Sequence, residues 1–186
     1  RGGVRMARLV FEMSQSLDGY VDGPSGRLEL PVPDPELFYS FVEMTRGLSG
    51  TIYGTTMYGI MRYWDEERPE WDEPEREFAA AWQAMPKWVV SRSLREVGPN
   101  ATLVKEDLGA FARRLKDERE GEIGVAGPTI AGSLTALGLI DEYRLYLRPY
   151  VLGAGKPFFV GGRPPLRLVD VARVGPETVK LSYVSE

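Results

Sequence analysis

Residues 121–138, GEIGVAGPTIAGSLTALG, carry the strongest structural signal in the chain. The segment predicts a short buried strand, a sharp turn at Gly127-Pro128 and then a helix that opens with small residues. Backbone N–H groups at the start of a helix are unpaired and carry the positive end of the helix dipole. The segment therefore predicts a turn that is suited to binding phosphate.

Two other predicted strands end in small polar or basic residues. Gly54-Thr55-Thr56 ends the strand at 51–54, and Ser91-Arg92-Ser93 ends the strand at 87–91. Ligands of open α/β sheets bind beyond the carboxyl ends of the strands. Each segment also has a purely structural explanation, as a helix cap, a solvated loop or a tight turn. Together they favour a crevice for an anionic dinucleotide, with the Arg92 guanidinium suited to a phosphate.

The rest of the chain predicts strands that alternate with helices, followed by a final run of strands. Further strands are expected at 7–14, 102–105, 142–150, 166–174 and 178–184, and helices at 35–46, 55–63, 74–85 and 108–118. Parallel neighbours need a crossover, which a helix supplies. The predicted fold class is α/β, with a central mixed, mostly parallel sheet, antiparallel C-terminal strands and helices on both faces. Residues 1–186 are expected to form one domain, with 1–6 a disordered start or a remnant upstream of Met6.

The composition excludes several kinds of chemistry. The chain has no cysteine and no histidine, which removes thiol nucleophiles, His-containing triads and nearly all zinc sites, so no metal is expected. Eight acids and two arginines lie within 65–77, so the acidity behind the net charge of −4 is local. No dense basic stripe indicates nucleic-acid binding, and no apolar run is long enough to cross a bilayer. The absence of cysteine fits a cytoplasmic location.

Segments along nearly the whole chain resemble the dihydrofolate reductase-like superfamily. The branch is the one built like the reductase domain at the C-terminal end of the bifunctional riboflavin-biosynthesis deaminase/reductase, the RibD C-terminal domain. As a set the segments are specific for the superfamily but not for a substrate. They are SQSLDGYVDG at 14–23, YGTTMYGIM at 53–61, PKWVVSRSL at 86–94, VAG at 125–127, GLIDEYRL at 138–145 and PYVLGAGKPF at 149–158.

The resemblance implies a dihydrofolate reductase-like fold that binds NADPH and transfers hydride. It assigns Gly54, Thr55 and Thr56 to the cofactor's phosphates. It assigns Ser91, Arg92 and Ser93 to the adenosine 2′-phosphate end, and Gly127, Pro128, Thr129 and Ile130 to the pyrophosphate. The loop of Leu17, Asp18 and Gly19 would border the nicotinamide and the substrate. One departure is Gly127-Pro128, where the family commonly has Gly-Gly. Proline lacks an N–H donor, and we expect the turn to be kept if this peptide bond is cis.

Five residues are candidates around the substrate. Asp18 is the first candidate proton donor, with a plain Asp-Gly turn as the alternative. Tyr20 lies beside it, and Asp34 opens a helix as the acidic residue of dihydrofolate reductase does, although an N-cap role alone explains it. Trp64 is expected to wall the substrate pocket or to pack in the core. Lys156 follows a Gly-Ala-Gly loop and is expected to bind an anionic substrate group or to stay solvated.

Two hypotheses for the function follow. The first is an NADPH-dependent reductase of a small heterocyclic or carbonyl substrate, pyrimidine- or pterin-like, of which the ribosylaminopyrimidine phosphate of flavin synthesis is one version. The second is a non-catalytic nucleotide- or ligand-binding homodimer that retains the fold. Whether a flavin replaces or joins the nicotinamide stays open. A homodimer through the C-terminal edge strands is implied by the resemblance and by the apolar Val151, Phe158 and Phe159.

Overall fold

A computed structural model describes residues 6–25 and 30–186. Within these ranges the helices are α1 Pro35–Gly47, α2 Thr55–Met61, α3 Glu73–Ala84, α4 Leu108–Glu118 and α5 Pro128–Ala136, with a 3-10 helix at Arg62–Asp65. The strands are β1 Arg8–Gln15, β2 Tyr20–Asp22, β3 Leu48–Tyr53, β4 Lys87–Val90, β5 Ala101–Val104, β6 Glu122–Ala126, β7 Glu142–Leu147, β8 Lys156–Pro157, β9 Leu166–Val174 and β10 Thr178–Ser185.

Most of the strands form one central sheet with the spatial order β5-β4-β3-β6-β1-β7-β10-β9. The strands from β5 to β7 are all parallel. Strand β10 is antiparallel to both β7 and β9. The carboxyl ends of all the parallel strands therefore meet at one edge of the sheet, which confirms the predicted mixed architecture with antiparallel strands at its C-terminal side.

Apolar clusters on the two faces of the sheet make it the middle of three layers. On one face, Phe11 and Ile123 pack with residues of α4 and α5 such as Phe111 and Leu134. On the other, residues of α1, α2 and α3 pack over β3 and β4. Phe158, expected at a subunit interface, is instead in the first cluster, with its ring centroid 4.3 Å from that of Phe11. Aromatic residues after a glycine loop do not by themselves distinguish a core from an interface.

The helix N-termini differ in how they are capped. Asp34, Asp72 and Asp107 cap α1, α3 and α4 by accepting hydrogen bonds from backbone N–H groups of the first turn. Helices α2 and α5 begin after Gly54 and Gly127, and neither has a side-chain cap. The first-turn N–H groups of these two helices are thus left for other partners.

The structure departs from the sequence-based boundaries in several places. Strand β3 begins at Leu48 rather than at Thr51, and α2 ends at Met61 and is followed by the 3-10 helix. Strand β2 lies between the strand expected at 7–14 and the helix expected at 35–46, and it pairs with the two-residue β8. Strands this short leave no periodic signal. Strand β7 ends at Leu147 rather than at Tyr150, where the chain turns through a hydrogen bond from the Tyr150 N–H to the Arg148 carbonyl. Residues 1–5 of the expected disordered start lie outside the described residues. No described helix has the length and the apolar character needed to cross a membrane.

Candidate active site

A cavity of about 350 Å³ opens at the carboxyl ends of β3 and β6. We call it the glycine-turn cavity, because two glycine-led turns form much of its wall. All the residues predicted at these two turns line it: Gly54, Thr55, Thr56, Gly127, Pro128, Thr129 and Ile130. Met13, Asp22, Ser133 and Lys156 add to its wall. Two segments that are more than seventy residues apart in sequence (54–56 and 127–130) thus face one space.

The start of α5 is open toward this cavity. Gly127 has φ of 106° and ψ of 136°, a conformation that other residues rarely adopt. The Ala131 N–H bonds to the Gly127 carbonyl, so the N–H groups of Thr129 and Ile130 precede the first hydrogen bond of the helix. No described peptide bond is cis. The turn is therefore kept by the positive φ of Gly127 with a trans Gly127-Pro128 bond, and not through the cis bond on which the sequence analysis made it conditional.

Lys156 brings a positive charge to the same place. Its Nζ donates to the Thr129 hydroxyl at 2.5 Å. Strand β8, which carries Lys156, lies close against β2 because Gly155 has no side chain: an added Cβ would lie 1.9 Å from the Asp22 carbonyl oxygen. Lys156 therefore adjoins the glycine turn, whereas the sequence placed it with the substrate. Asp22 lines the cavity as well and was missed, although it lies within the SQSLDGYVDG segment.

Arg92 lies in an adjoining cavity of about 450 Å³, the arginine cavity. Val90, Leu108 and Ser133 line both this space and the glycine-turn cavity, so the two adjoin. Among the described residues Arg92 makes no salt bridge, which leaves its guanidinium available. Ser91 also lines the space, but its hydroxyl accepts hydrogen bonds from the N–H groups of Ser93 and Leu94 and so shapes the turn.

The predicted loop at 17–20 lies apart from the glycine-turn cavity. The Asp18 carboxylate accepts hydrogen bonds from the Ser16 hydroxyl at 2.6 Å and from the N–H groups of Gly153 at 2.8 Å and Leu152 at 3.2 Å. These bonds, the one from Ser16 foremost, hold the pKa of Asp18 below its usual value. The carboxylate is thus ionised and ties this turn to the loop after β7, which favours the turn role over proton donation.

The neighbours of Asp18 also serve the turn. Gly19 has a φ of 93°, and the Leu17 N–H bonds to the Tyr150 carbonyl. The N–H of Tyr20 donates to the Ser16 hydroxyl at 3.0 Å. None of these three residues lines the glycine-turn cavity or the aromatic cavity described next.

A third space, the aromatic cavity, lies between β1, the carboxyl end of β7 and the helices α1 and α2. Its volume is about 330 Å³, and it adjoins the glycine-turn cavity at Met13 and Met57, which line both. Its walls are mainly apolar, and they include Trp64, which was expected either to wall the substrate pocket or to pack in the core. Five of the lining residues are aromatic: Phe38, Phe41, Trp64, Phe78 and Tyr146. Asp34 is absent from its lining, since its carboxylate caps α1 through the Leu37 N–H at 3.0 Å.

Two charged residues that sequence reasoning missed also line the aromatic cavity, Glu12 and Arg148. The Tyr146 hydroxyl donates to the buried Glu12 carboxylate at 2.5 Å, and Arg144 lies 3.4 Å from it. Burial, and then the charge of Glu12, raises the pKa of the Tyr146 hydroxyl. The available signal for Glu12 was an acid in the middle of an otherwise apolar strand, and that for Arg148 was a basic residue where β7 ends.

The arrangement suits two ligands that meet at a thin wall. The uncapped α5 N-terminus, Lys156 and Arg92 offer positive charge to an extended anionic molecule. The aromatic cavity suits a flat ring, and Met13 and Met57 line both spaces. Among the described residues no group of three or more acidic or metal-ligating side chains forms a cation site.

Comparisons with known proteins agree with this architecture. The model of the RibD C-terminal domain matches residues 7–180. YyaP of Bacillus subtilis (strain 168), an uncharacterized protein, is 25% identical over 185 residues, which cover 97% of this chain and 96% of YyaP.

Two solved structures share the fold. One is a Shewanella sp. PV-4 protein named for riboflavin biosynthesis, with a TM-score of 0.73 and 22% identity over 97% of this chain and 99% of that one. The other is dihydrofolate reductase from Enterococcus faecalis, solved with NADP(H), with a TM-score of 0.62 and 15% identity over 96% of each chain. The fold is thus the dihydrofolate reductase-like fold that the sequence predicted, and the chain belongs to the RibD C-terminal domain family.

Proposed function

We propose that the protein is an NADPH-dependent reductase that reduces a small planar heterocyclic or carbonyl substrate by hydride transfer. The observation that carries this proposal is the contact between the glycine-turn cavity and the aromatic cavity at Met13 and Met57. A dinucleotide held by its phosphates at α5 would extend toward that wall. The solved dihydrofolate reductase of the same fold, which contains NADP(H), supports this choice of cofactor.

The chain's part in the reaction is to bind, orient and exclude water. The N–H groups of Thr129 and Ile130 are oriented for a pyrophosphate, with the Lys156 ammonium beside them. Arg92 lines the adjoining arginine cavity and is suited to bind the 2′-phosphate. When bound, the nicotinamide supplies the hydride. Orientation of donor and acceptor is the main catalytic contribution expected of such a site, on the order of 7–11 kcal/mol.

The proton for the reduced product comes from water in this proposal. The Asp18 carboxylate is occupied by three hydrogen bonds, and its lowered pKa keeps it ionised near neutral pH. The Tyr146 hydroxyl donates to Glu12, and its raised pKa keeps the proton on the oxygen. Neither group is therefore poised to release a proton.

A substitution at Thr129 tests the cofactor site without endangering the fold. Thr129→Asp places a carboxylate in the first turn of α5, next to Lys156, where it favours the helix dipole by about 0.3–1 kcal/mol. It also repels a pyrophosphate at that position. We expect NADPH to quench the tryptophan fluorescence of the natural protein and of the neutral control Thr129→Asn. For Thr129→Asp we expect the affinity for NADPH to fall at least about tenfold, which corresponds to about 1.4 kcal/mol.

The outcome separates the two functional hypotheses. NADPH binding that is unaffected in Thr129→Asp, at an unchanged melting temperature, contradicts the site. Binding without oxidation of NADPH by any pterin, pyrimidine or quinone favours the non-catalytic ligand-binding protein. Oxidation of NADPH with one of these compounds supports the reductase and gives its substrate class.

A homodimer is proposed on a separate observation, an exposed apolar face on β9 and β10. Leu168, Val171 and Val179 are 48%, 57% and 39% exposed. In register, Leu168 lies opposite Tyr183 and Val171 opposite Leu181, which places these apolar residues on one face at the end of the sheet. Exposed apolar patches of this kind mark protein–protein contacts, and β9 is also an edge strand.

The test of the dimer is the molar mass measured by light scattering. Val171→Lys is expected to give a monomer, because it buries a charge at the proposed interface. Asp170 lies opposite Ser182, on the other face, so Asp170→Lys is the matched control and is expected to remain a dimer. A monomeric natural protein, or a Val171→Lys variant that stays dimeric, contradicts this proposal.

A further inference from the structure

We propose that the aromatic cavity binds a flat aromatic ring that carries an anionic oxygen group, and that Arg148 is the residue that binds this group. The proposal deepens the reductase function above only in saying that this ligand is the hydride acceptor; the binding itself does not depend on NADPH. A carboxylate and a phosphate share the required chemistry. The experiment below distinguishes them.

The side chain of Arg148 is an unusual case of a buried cation. The residue is only 5% exposed and lines the aromatic cavity. Its guanidinium donates one hydrogen bond, from Nη2 to the Pro31 carbonyl at 3.0 Å, and lies 5.5 Å from the ring centroid of Tyr150. A guanidinium has five N–H donors and stays charged. Among the described residues none of its nitrogens lies within salt-bridge distance of a carboxylate.

The carboxylates that lie nearest along the sheet are already committed to other bases. Arg144 bonds to Glu122 at 2.6 Å and to Glu142 at 2.5 Å. Glu12 has its own partners, the Tyr146 hydroxyl at 2.5 Å, Arg144 at 3.4 Å and Lys180 at 3.7 Å. In this network the acids and bases balance, since the acids are Glu12, Glu122 and Glu142 and the bases are Arg8, Arg144 and Lys180. The charge of Arg148 is therefore the one that the network leaves without a counterion.

A buried charge without a counterion is unfavourable. A cavity wall is the place where a ligand can return that free energy, because a bidentate carboxylate or phosphate satisfies the free N–H groups of the guanidinium. The backbone already holds Arg148 in position, since its N–H donates to the Gln15 carbonyl at 2.9 Å and so extends the β1–β7 ladder by one bond.

The rest of the cavity determines what carries the anion. The rings of Trp64 and Phe78 lie 4.8 Å apart, those of Phe38 and Phe78 5.8 Å, and those of Phe41 and Tyr146 5.3 Å. Apart from Glu12 and Arg148, the wall offers almost no charged group. Apolar and aromatic walls around one fixed cation select a flat ring with a single anionic group rather than a chain with several polar groups.

Matched probes on the cofactor-free full chain test this inference. Isothermal titration calorimetry with 2-naphthoate, 2-naphthamide and 2-naphthyl phosphate compares one ring with two anions and a neutral amide. We expect naphthoate or naphthyl phosphate to bind at least tenfold tighter than naphthamide, and the tighter of the two anions identifies the group. Arg148→Met keeps an apolar stem of similar length, and we expect it to lower the anion affinity at least tenfold while the amide affinity stays within about twofold.

Two further variants make the result interpretable. Arg173 is a matched control, because its Nη2 also donates to a single backbone carbonyl, that of Pro176 at 2.8 Å, but on the exposed β9–β10 turn. Arg173→Met is expected to change no affinity. Arg148→Lys keeps the positive charge but lacks the paired N–H donors of a guanidinium. Its anion affinity is expected to lie between those of the natural protein and of Arg148→Met. Thermal melting checks the fold, which removal of an unmatched buried charge is expected to leave intact or to stabilise.

Three results overturn the inference: equal affinity for the amide and both anions, no binding of any probe, or a preference for anions that survives in Arg148→Met. Since no cofactor is present, the reductase proposal can fail by NADPH titration while this one stands, and the reverse.

Discussion

The glycine-turn cavity and the aromatic cavity share a wall but are built from different parts of the chain. Two short turns, residues 54–56 and 127–130, form much of the wall of the glycine-turn cavity, and the first-turn N–H groups of Thr129 and Ile130 are main-chain groups. The aromatic cavity is lined by residues of β1, β2, α1, α2, the 3-10 helix, α3, the end of β7 and the segment at 30–33. A site made of main chain is fixed once the fold is fixed, whereas a site made of side chains can be altered without changing the fold.

The largest expected effect tests how closely the main chain around the glycine-turn cavity is packed. At Gly132 in α5 an added Cβ would lie 2.0 Å from the Val160 carbonyl oxygen. Gly132→Ala is therefore expected to destabilise the protein by about 3 kcal/mol in urea unfolding, because the backbone must shift. The control is Gly59→Ala in α2, where nothing lies within 4 Å. It is expected to stabilise by about 0.5–1 kcal/mol, and similar losses in both variants would contradict the tight contact at α5.

The second prediction compares Arg148 with a buried cation that is able to lose its proton. Lys87 is 1% exposed, its Nζ donates to the Met85 carbonyl at 2.8 Å, and burial lowers its pKa to about 8. Between this value and the usual lysine pKa, the unfolded chain binds more protons than the folded one. The free energy of unfolding is therefore expected to rise with pH from about 8 to about 10, by on the order of 2 kcal/mol.

Lys87→Met separates this effect from other titrations. The variant is expected to be more stable than the natural protein near pH 7 and to lose the rise between about pH 8 and 10. The exposed Lys105→Met is the control and is expected to keep it. A rise that persists in Lys87→Met assigns the pH dependence to another group.

The third prediction probes the side chains of the aromatic cavity. Tyr146→Phe removes the hydroxyl that donates to the buried Glu12 carboxylate at 2.5 Å. The loss is expected to cost about 1.5 kcal/mol in urea unfolding, the lower range for a hydrogen bond to a charged group. Tyr39 is exposed on α1, and Tyr39→Phe is expected to have little effect. Equal stability of the two variants would mean that Arg144 and Lys180 alone compensate the charge of Glu12.

The smallest expected effect concerns the far end of the cofactor site. Arg92→Ala is expected to weaken NADPH binding about tenfold, or about 1.4 kcal/mol, and to leave NADH unchanged, because only NADPH carries the 2′-phosphate. Fluorescence titration with both dinucleotides measures the ratio, and Arg95→Ala on the following loop is the control. Equal weakening of NADPH and NADH would refute the role of Arg92.

Sequence reasoning recovered what local patterns encode. The Gly127-Pro128 turn and the strand end at Gly54 were predicted together because glycines, small hydroxyl residues and strand ends leave a local signal. Glu12 and Arg148 were missed, since they come to line one cavity only through the pairing of β1 with β7, where Ser14 lies opposite Tyr146. No local periodicity contains that register. Asp18 was predicted as a proton donor because it is an acid on a loop near the predicted site. The three hydrogen bonds that its carboxylate accepts could not be predicted from the spacing of residues in the sequence.

The presence of Met13 and Met57 in the lining of both cavities has a consequence for how broadly the proposed reductase would act. Thioether chains are unbranched and polarizable, so they conform to rings of different outline instead of rejecting them by shape. Discrimination among candidate molecules then falls to the fixed guanidinium at the far end of the cavity. The same softness is a weakness under oxidative stress, because conversion of either sulfur to a sulfoxide would place a rigid dipole between donor and acceptor.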